Sequence, residues 1–212
     1  MQGPDGTMDA QTAASDDNIK LTKGQKRRAE IVSLGRDLLV EKGYDAFVLR
    51  TVAAQAEITL GNLQYYFPMR EDLLEAIGNE EFSRGLGIVR DAHNGSGTPE
   101  DRLAEMVREL VGEWHQTGGR VYAVIGMLAL HQGRFKRLHA HQYRLFYQAV
   151  AELLTEINPD AEDKEALHQA RLITSMMDGS LFQVPLGGKG SRAERKRFHE
   201  EIVAAILKTV AS

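Results

Sequence analysis

Apolar residues recur along this chain at helical spacing almost from end to end. In "LTKGQKRRAEIVSLGRDLLVEKG", Ile31, Leu34, Leu38 and Leu39 form one stripe. Thr22 and Gln25 stand in the spacing of a capping box, and Gly43 supplies a C-terminal stop. Two short patterns follow, from Leu49 to Ala56 and from Thr59 to Tyr66, separated by a break. Beyond Pro68 the predicted helices lengthen. "REDLLEAIGNEEFSRGLGIVRDAH" ends at the turn signal "NGSG", and Thr98 caps a new helix with Pro99 at its first position, where the missing amide costs nothing. That helix runs toward Trp114 and is expected to break at "TGG". Tyr122 to Leu130 reads as a buried helix. Phe135, Leu138, Phe146, Ala149, Leu153 and Ile157 stripe a long one, closed by Asn158 and Pro159. The last two helices run from about Lys164 to Phe182 and from Ser191, where Glu194 completes a second capping box before Phe198, Ile202, Ile206 and Val210. With no alternating strand pattern and no internal repeat, the predicted fold is all-α.

The segment "EITLGNLQYYFP" raises a question of purpose, being too short for a core helix and too uncharged for a solvated one. Val52, Ala53 and Ala56 face one way from the first short helix; Ile58, Leu63 and Tyr66 face back from the second. Small Ala53 and Ala56 let the two cross closely, as a helix-turn-helix requires. With Leu63 inward, Gly61 and Tyr65 point outward and Asn62 and Gln64 flank them. Such neutral side chains read base edges and touch phosphates: amides pair bidentately with adenine, and phenols bond phosphate oxygens. Gly61 lets the helix N-terminus approach an anion. Periodicity alone would equally allow a helical hairpin packed on a bundle.

Charge sharpens this picture. The net charge is −4, yet residues 20–70 carry nine Lys/Arg against five Asp/Glu, so a basic N-terminal part joins an acidic remainder. The absence of cysteine excludes disulfides, thiolate zinc sites and thiol nucleophiles, and fits a reducing compartment. Apolar runs are too short to span a bilayer. Residues 1–21 read as a disordered tail without the apolar region of a secretory signal. The expectation is a soluble, cytoplasmic protein with no membrane partner.

"LRTVAAQAEITLGNLQYYFPMREDLLEAI", preceded by "EKGYDAF", resembles the DNA-binding signature of the TetR-type bacterial transcriptional regulators. The resemblance is specific from about Lys23 to Ile77. It implies a three-helix helix-turn-helix DNA-binding domain over 22–68 and a larger helical effector-binding and dimerisation domain over 69–212. Thr59, Leu60, Gly61, Asn62, Gln64, Tyr65 and Tyr66 would lie on the recognition helix in the major groove. Arg50 and Thr51 would sit near the DNA backbone, and Arg70 would contact phosphate. The sequence departs from the family at several positions. Glu57 stands where glycine is frequent, at a cost of about 1–2 kcal/mol if its backbone is left-handed. Val48 and Met69 replace capping Ser or Thr, each lost cap costing about 1 kcal/mol. Leu60 and Gln64 replace a basic residue and a tyrosine, so a relative's operator does not carry over.

The implied protein is a homodimer on a palindromic operator, released by a small-molecule effector. Met176, Met177, Leu181, Phe182, Ile202 and Ile206 are candidates for the dimer seam, although the same residues could pack inside one subunit. Trp114, Tyr122, Met127, His131, Phe146 and Tyr147 are candidates for the effector pocket, with plain core packing as their other reading. No cofactor, metal site or catalytic residue is expected. His139 and His141 diverge by about 200° on one helix, and His115, His131 and His168 stand alone. "GGKGS" lacks the earlier glycine and the Ser or Thr directly after lysine of a phosphate loop, and Glu-x-x-His repeats of a carboxylate-bundle enzyme are missing. A DNA-binding protein of this type with a structural or protein-partner role and no effector is the alternative.

Overall fold

The computed structural model describes residues 21–186 and 192–211, and among them every regular element is helical. The helices are α1 (Lys23–Ala46), α2 (Leu49–Gln55), α3 (Leu60–Tyr66), α4 (Arg70–His93), α5 (Pro99–Glu113), α6 (Gly119–His131), α7 (Gly133–Ile157), α8 (Asp163–Leu186) and α9 (Arg192–Val210). The expected tail, the Ser191 cap and "GGKGS" fall wholly or largely outside the described residues.

Local chemistry sets most of these boundaries. The Thr22 hydroxyl accepts from the Gln25 amide at 3.2 Å, and the Gln25 side chain accepts from Thr22 N–H at 2.8 Å. Gly43, at φ 79°, interrupts α1 where a stop was expected, and one further turn carries Phe47 into the core. Thr98 and Asp101 cap α5 reciprocally, with Pro99 at its start. Val48 leaves α2 without a side-chain cap. At α4, the Asp72 carboxylate accepts from Met69 N–H at 2.8 Å, so the capping carboxylate compensates in part for the methionine.

One expectation fails. The "TGG" segment does not break the chain: α5 passes through a π-turn, Trp114–Gly118, directly into α6. The glycines are there for space. A Cβ on Gly118 would fall 2.5 Å from Glu81 Oε1, and one on Gly119 would collide with the Trp114 carbonyl and Leu181. Two adjacent residues without side chains therefore mark a crowded helix bulge, not a terminus.

α4 is the shared spine, packing on α1 on one side and on α5, α6 and α7 on the other. Its Glu81, 2% exposed, takes a two-pronged ion pair from Arg36 of α1, with Nε–Oε2 2.7 Å and Nη2–Oε1 3.1 Å, and a further one from Arg84 at 2.9 Å. Arg36 also reaches the Thr117 hydroxyl of the π-turn at 3.4 Å, and Arg120 of α6 donates to the Val40 carbonyl of α1 at 2.5 Å. The N-terminal helices are thus tied through charge to the segment that introduces α6.

Candidate nucleic-acid interface and internal cavity

α2 and α3 meet through an apolar seam. Val52, Ala53, Ala56 and Leu63 are buried, Leu63 completely, and Ile58 and Tyr66 pack half-buried beside them. Phe47 and Phe67 close the seam at either end. The turn between the helices is tight: Ile58 N–H donates to the Ala53 carbonyl at 3.0 Å, and Glu57 adopts φ 54°, the left-handed conformation its position requires. The Thr59 hydroxyl then caps α3 by accepting from Asn62 N–H at 3.2 Å.

What faces solvent from α3 is Gly61, Asn62, Gln64 and Tyr65, the last 82% exposed. Leu60 and Tyr66 are half-buried, with Tyr66 edge-on to Tyr65 at 5.3 Å. Arg50 is exposed near the start of α2, and Thr51 beside it is half-buried. The apolar side of a two-turn helix is thereby fixed while its amide and phenol groups remain free to meet a polar surface.

Several basic side chains do structural work first. Arg27 Nη2 donates to the Ala56 carbonyl at 2.5 Å and so caps the end of α2. Arg28 lies over the Phe67 ring at 4.7 Å. Arg70, expected as a phosphate contact, stacks on Tyr44 at 3.9 Å and donates to the Tyr44 carbonyl at 2.8 Å, with its Nε buried and unpartnered. It bolts the start of α4 to the end of α1. Sequence reasoning missed Arg27 and Tyr44 in these roles because both act across the tertiary fold.

Residues 31–77 match the family model described as bacterial regulatory proteins, tetR family. An uncharacterized HTH-type transcriptional regulator of Xanthobacter autotrophicus is 28% identical over 153 residues, covering 68% of this chain and 73% of that one. The HTH-type transcriptional repressor KstR of Mycolicibacterium smegmatis is 34% identical over 86 residues, 41% of this chain and 42% of its own. Over residues 31–77 the chain carries the N-terminal domain of the TetR family. The relatives it is similar to are described as HTH-type transcriptional regulators, which the match over this segment supports. The structure of Salmonella enterica GusR, at 20% identity, superposes with a TM-score of 0.72 over 91% of this chain and 100% of GusR, so the likeness of fold extends through the whole body.

In the body, the expected pocket residues divide. Trp114, Tyr122 and Phe146 join Phe82, Tyr143 and Thr174 in a packed aromatic cluster with about 10 Å³ of free space. Tyr122 also forms the inner wall of a larger cavity, about 400 Å³, between α6, α7 and α8, with Met127 toward its mouth. His131 and Tyr147 do not line that cavity. His131 is the last residue of α6 and is exposed where the helix ends; Tyr147 is half-buried with Arg171 over its ring at 5.8 Å. The polar groups of the cavity are His139, Tyr143 and Asp178, which the sequence reading did not select. A lone aspartate in the apolar "SMMDGSLF" run was the available signal. Tyr143 donates to Asp178 Oδ2 at 2.9 Å, and His139 stacks on Tyr143 at 4.2 Å. Burial pushes the Asp178 carboxyl up to about 6 and lowers His139. Burial, with Asp178 adjacent, pushes the Tyr143 phenol upward, so it remains a donor.

The candidate seam residues divide in the same way. Met177, Leu181, Ile202 and Ile206 are buried within a single subunit, because α8 and α9 turn these positions toward α7 and α5; Met176 and Phe182 are exposed. His115, expected to stand alone, meets His199 of α9 ring to ring and contacts Ser180 at 3.1 Å. Among the described residues no helix is long and apolar enough to cross a membrane, and no group of three metal-ligating side chains comes together.

Proposed function

We propose that this regulator is a cytoplasmic homodimer that represses transcription from a palindromic operator and is released when a small molecule occupies the body. The division of labour follows the fold: residues 22–68 bind DNA, and residues 69–212 dimerise and take the effector. The observation that carries the reading is α3, whose Leu63 side is wholly buried while Asn62, Gln64 and Tyr65 stand free. Amides at this position suit base edges, while Thr59, Tyr65 and Arg50 suit phosphates. Arg70 acts chiefly by positioning α4 and α1.

A single two-turn helix offers too little interface for operator selectivity, so two copies about 34–36 Å apart would read an inverted repeat. The seam would use the face of α8 that one subunit leaves open, which carries Leu172, Met176, Gly179 and Phe182, beside Ala204 and Ala205 of α9. An effector between α6 and α8 shifts the DNA-binding arrangement to the extent that it favours one conformation over the other. The charged ties from Arg36 and Arg120 give that shift a route to α1.

Selection of bound duplexes from a random pool, using the purified protein at two salt concentrations, tests this. The expected product is an inverted repeat whose affinity falls steeply with salt. Asn62→Ala or Gln64→Ala should then cost about 1–3 kcal/mol at particular base pairs and little elsewhere. Recovery of no preferred duplex at low salt would sink the DNA-binding assignment; a single half-site would sink the dimer.

A further inference from the structure

The effector reading leaves open what the cavity would accept, and one atom narrows the choice. Asp178 Oδ2 is satisfied by the Tyr143 phenol at 2.9 Å, but Asp178 Oδ1 is buried without a hydrogen-bond partner. Asp178 lines the cavity of about 400 Å³, a volume suited to a drug-sized molecule. A buried carboxylate with half of its acceptor capacity unmet is an unstable arrangement unless something supplies a donor.

Among the described residues none supplies it. Among the described residues no basic side chain forms an ion pair with Asp178, and the Arg171 guanidinium, on the same helix, lies over Tyr147. His139, the cavity's other titratable group besides its tyrosines, is held toward its neutral form by burial. The remaining wall is apolar or aromatic, including Tyr122, Met127 and Leu181. Aromatic faces attract cations, and the carboxyl, although pushed up to about 6, stays largely ionised at neutral pH.

We propose that the effector is an organic amine: an apolar frame filling the space between α6, α7 and α8, with its ammonium against the Asp178 side chain, which turns its covered, unpartnered Oδ1 toward the ligand on binding. This rests on the effector-binding reading above and specifies its chemistry. An anionic ligand is disfavoured, since it would face a carboxylate whose neighbouring phenol proton is already committed. A bare divalent cation is disfavoured too, because one carboxylate and one phenol fall short of the oxygen ligands that hard cations need.

The test uses the full-length protein and three probes on one frame: naphthylethylamine, naphthylethanol and naphthylacetate. Binding is followed by calorimetry and by the fluorescence of Trp114, the only tryptophan, whose ring lies 5.1 Å from Tyr122. The amine should bind at least about tenfold tighter than the alcohol, and the acid weakest. Asp178→Asn should bring the amine down to the level of the alcohol and leave the alcohol unchanged. Equal or tighter binding of alcohol or acid to the unaltered protein would overturn the proposal, as would absence of binding by all three or an amine preference that survives Asp178→Asn. Binding to the selected operator duplex, measured in parallel, separates this from the broader reading. Release of DNA by the alcohol would preserve effector control while overturning the amine. Asp178-dependent amine binding that leaves DNA bound would preserve the amine site and overturn ligand release.

Discussion

The N-terminal three helices and the body handle polar groups in opposite ways. Between Lys23 and Pro68 the fully buried side chains are apolar, among them Phe47, Val52, Leu63 and Phe67, and the hydrogen-bonding groups of α3 point outward. From α4 onward the interior takes in Glu81, Gln142, Thr174 and Ser180, with the half-buried His115 and Asp178 beside them. A surface that meets a large, rigid partner can be presented by a dry core that holds it still. An interior that must receive a ligand and change arrangement needs polar groups inside, and each needs a partner. The difference puts the polar interior in the body and a dry, fixed core behind α3, as the proposed division of labour requires.

The largest expected effect comes from breaking the tie between the two. Arg36→Leu removes the main partner of the buried Glu81 carboxylate and leaves Arg84, which is itself partly exposed. Such a loss costs about 3 kcal/mol, where an exposed pair would cost under about 1 kcal/mol. Urea unfolding gives the number. The paired Arg36→Leu/Glu81→Leu variant should recover much of it, since a buried pair replaced by apolar groups is often nearly neutral. A cost below about 1 kcal/mol for the single change would show that the α1–α4 junction holds by apolar packing alone.

The same contrast explains what was legible in the sequence. The α2–α3 face is contiguous: the caps at Thr22 and Thr59, the inward Leu63, the outward Asn62 and Gln64, and the left-handed Glu57 all lie within about forty residues and follow local rules. The order and type of every helix after it could be read from periodicity for the same reason. The cavity is not contiguous. Tyr122, Tyr143 and Asp178 come from three helices, and which aromatic residue lines space and which fills it depends on crossing geometry that no local pattern carries. The "TGG" segment shows the limit most clearly, since glycine for a turn and glycine for close approach read identically until Trp114, Leu181 and Glu81 are in place.

A smaller effect separates the regions by pH. Burial, with His199 nearby, lowers His115 to about 4, and His139 and His199 are also lowered by burial. An unfolded histidine takes a proton near 6.5, so below that pH the unfolded chain binds more protons. The stability these rings contribute is complete above about 6.5 and is lost as pH falls toward about 4. Asp178, raised to about 6, opposes this as pH falls through the same range, because there the folded state takes the extra proton. After discounting for solvent reaching the half-buried rings, the histidines should cost on the order of 1 kcal/mol between about pH 7.5 and pH 5. His115→Gln should flatten the profile and Asp178→Asn should steepen it, both measured as unfolding midpoints. A profile unchanged by His115→Gln would place its titration at an ordinary solvated value.

The finest test of the fixed region lies at Glu57. This exposed residue sits at φ 54° between α2 and α3, a conformation costing an L-residue about 1–2 kcal/mol. Glycine removes that strain but returns about 0.4–1 kcal/mol of freedom to the unfolded chain. Glu57→Gly should therefore stabilise by about 0.8 kcal/mol, the difference between the middles of the two ranges. Glu57→Gln keeps the strain and removes only the negative charge from the turn that leads into α3, so its stability should not rise. On DNA the two variants should behave alike. Each loses one repulsion toward phosphate, and each should bind the operator a few-fold tighter at low salt, with the gain fading as salt is raised. If Glu57→Gly tightens binding and Glu57→Gln does not, turn geometry and not charge sets the presentation of α3. If neither does, the turn stands farther from the DNA than a major-groove α3 allows.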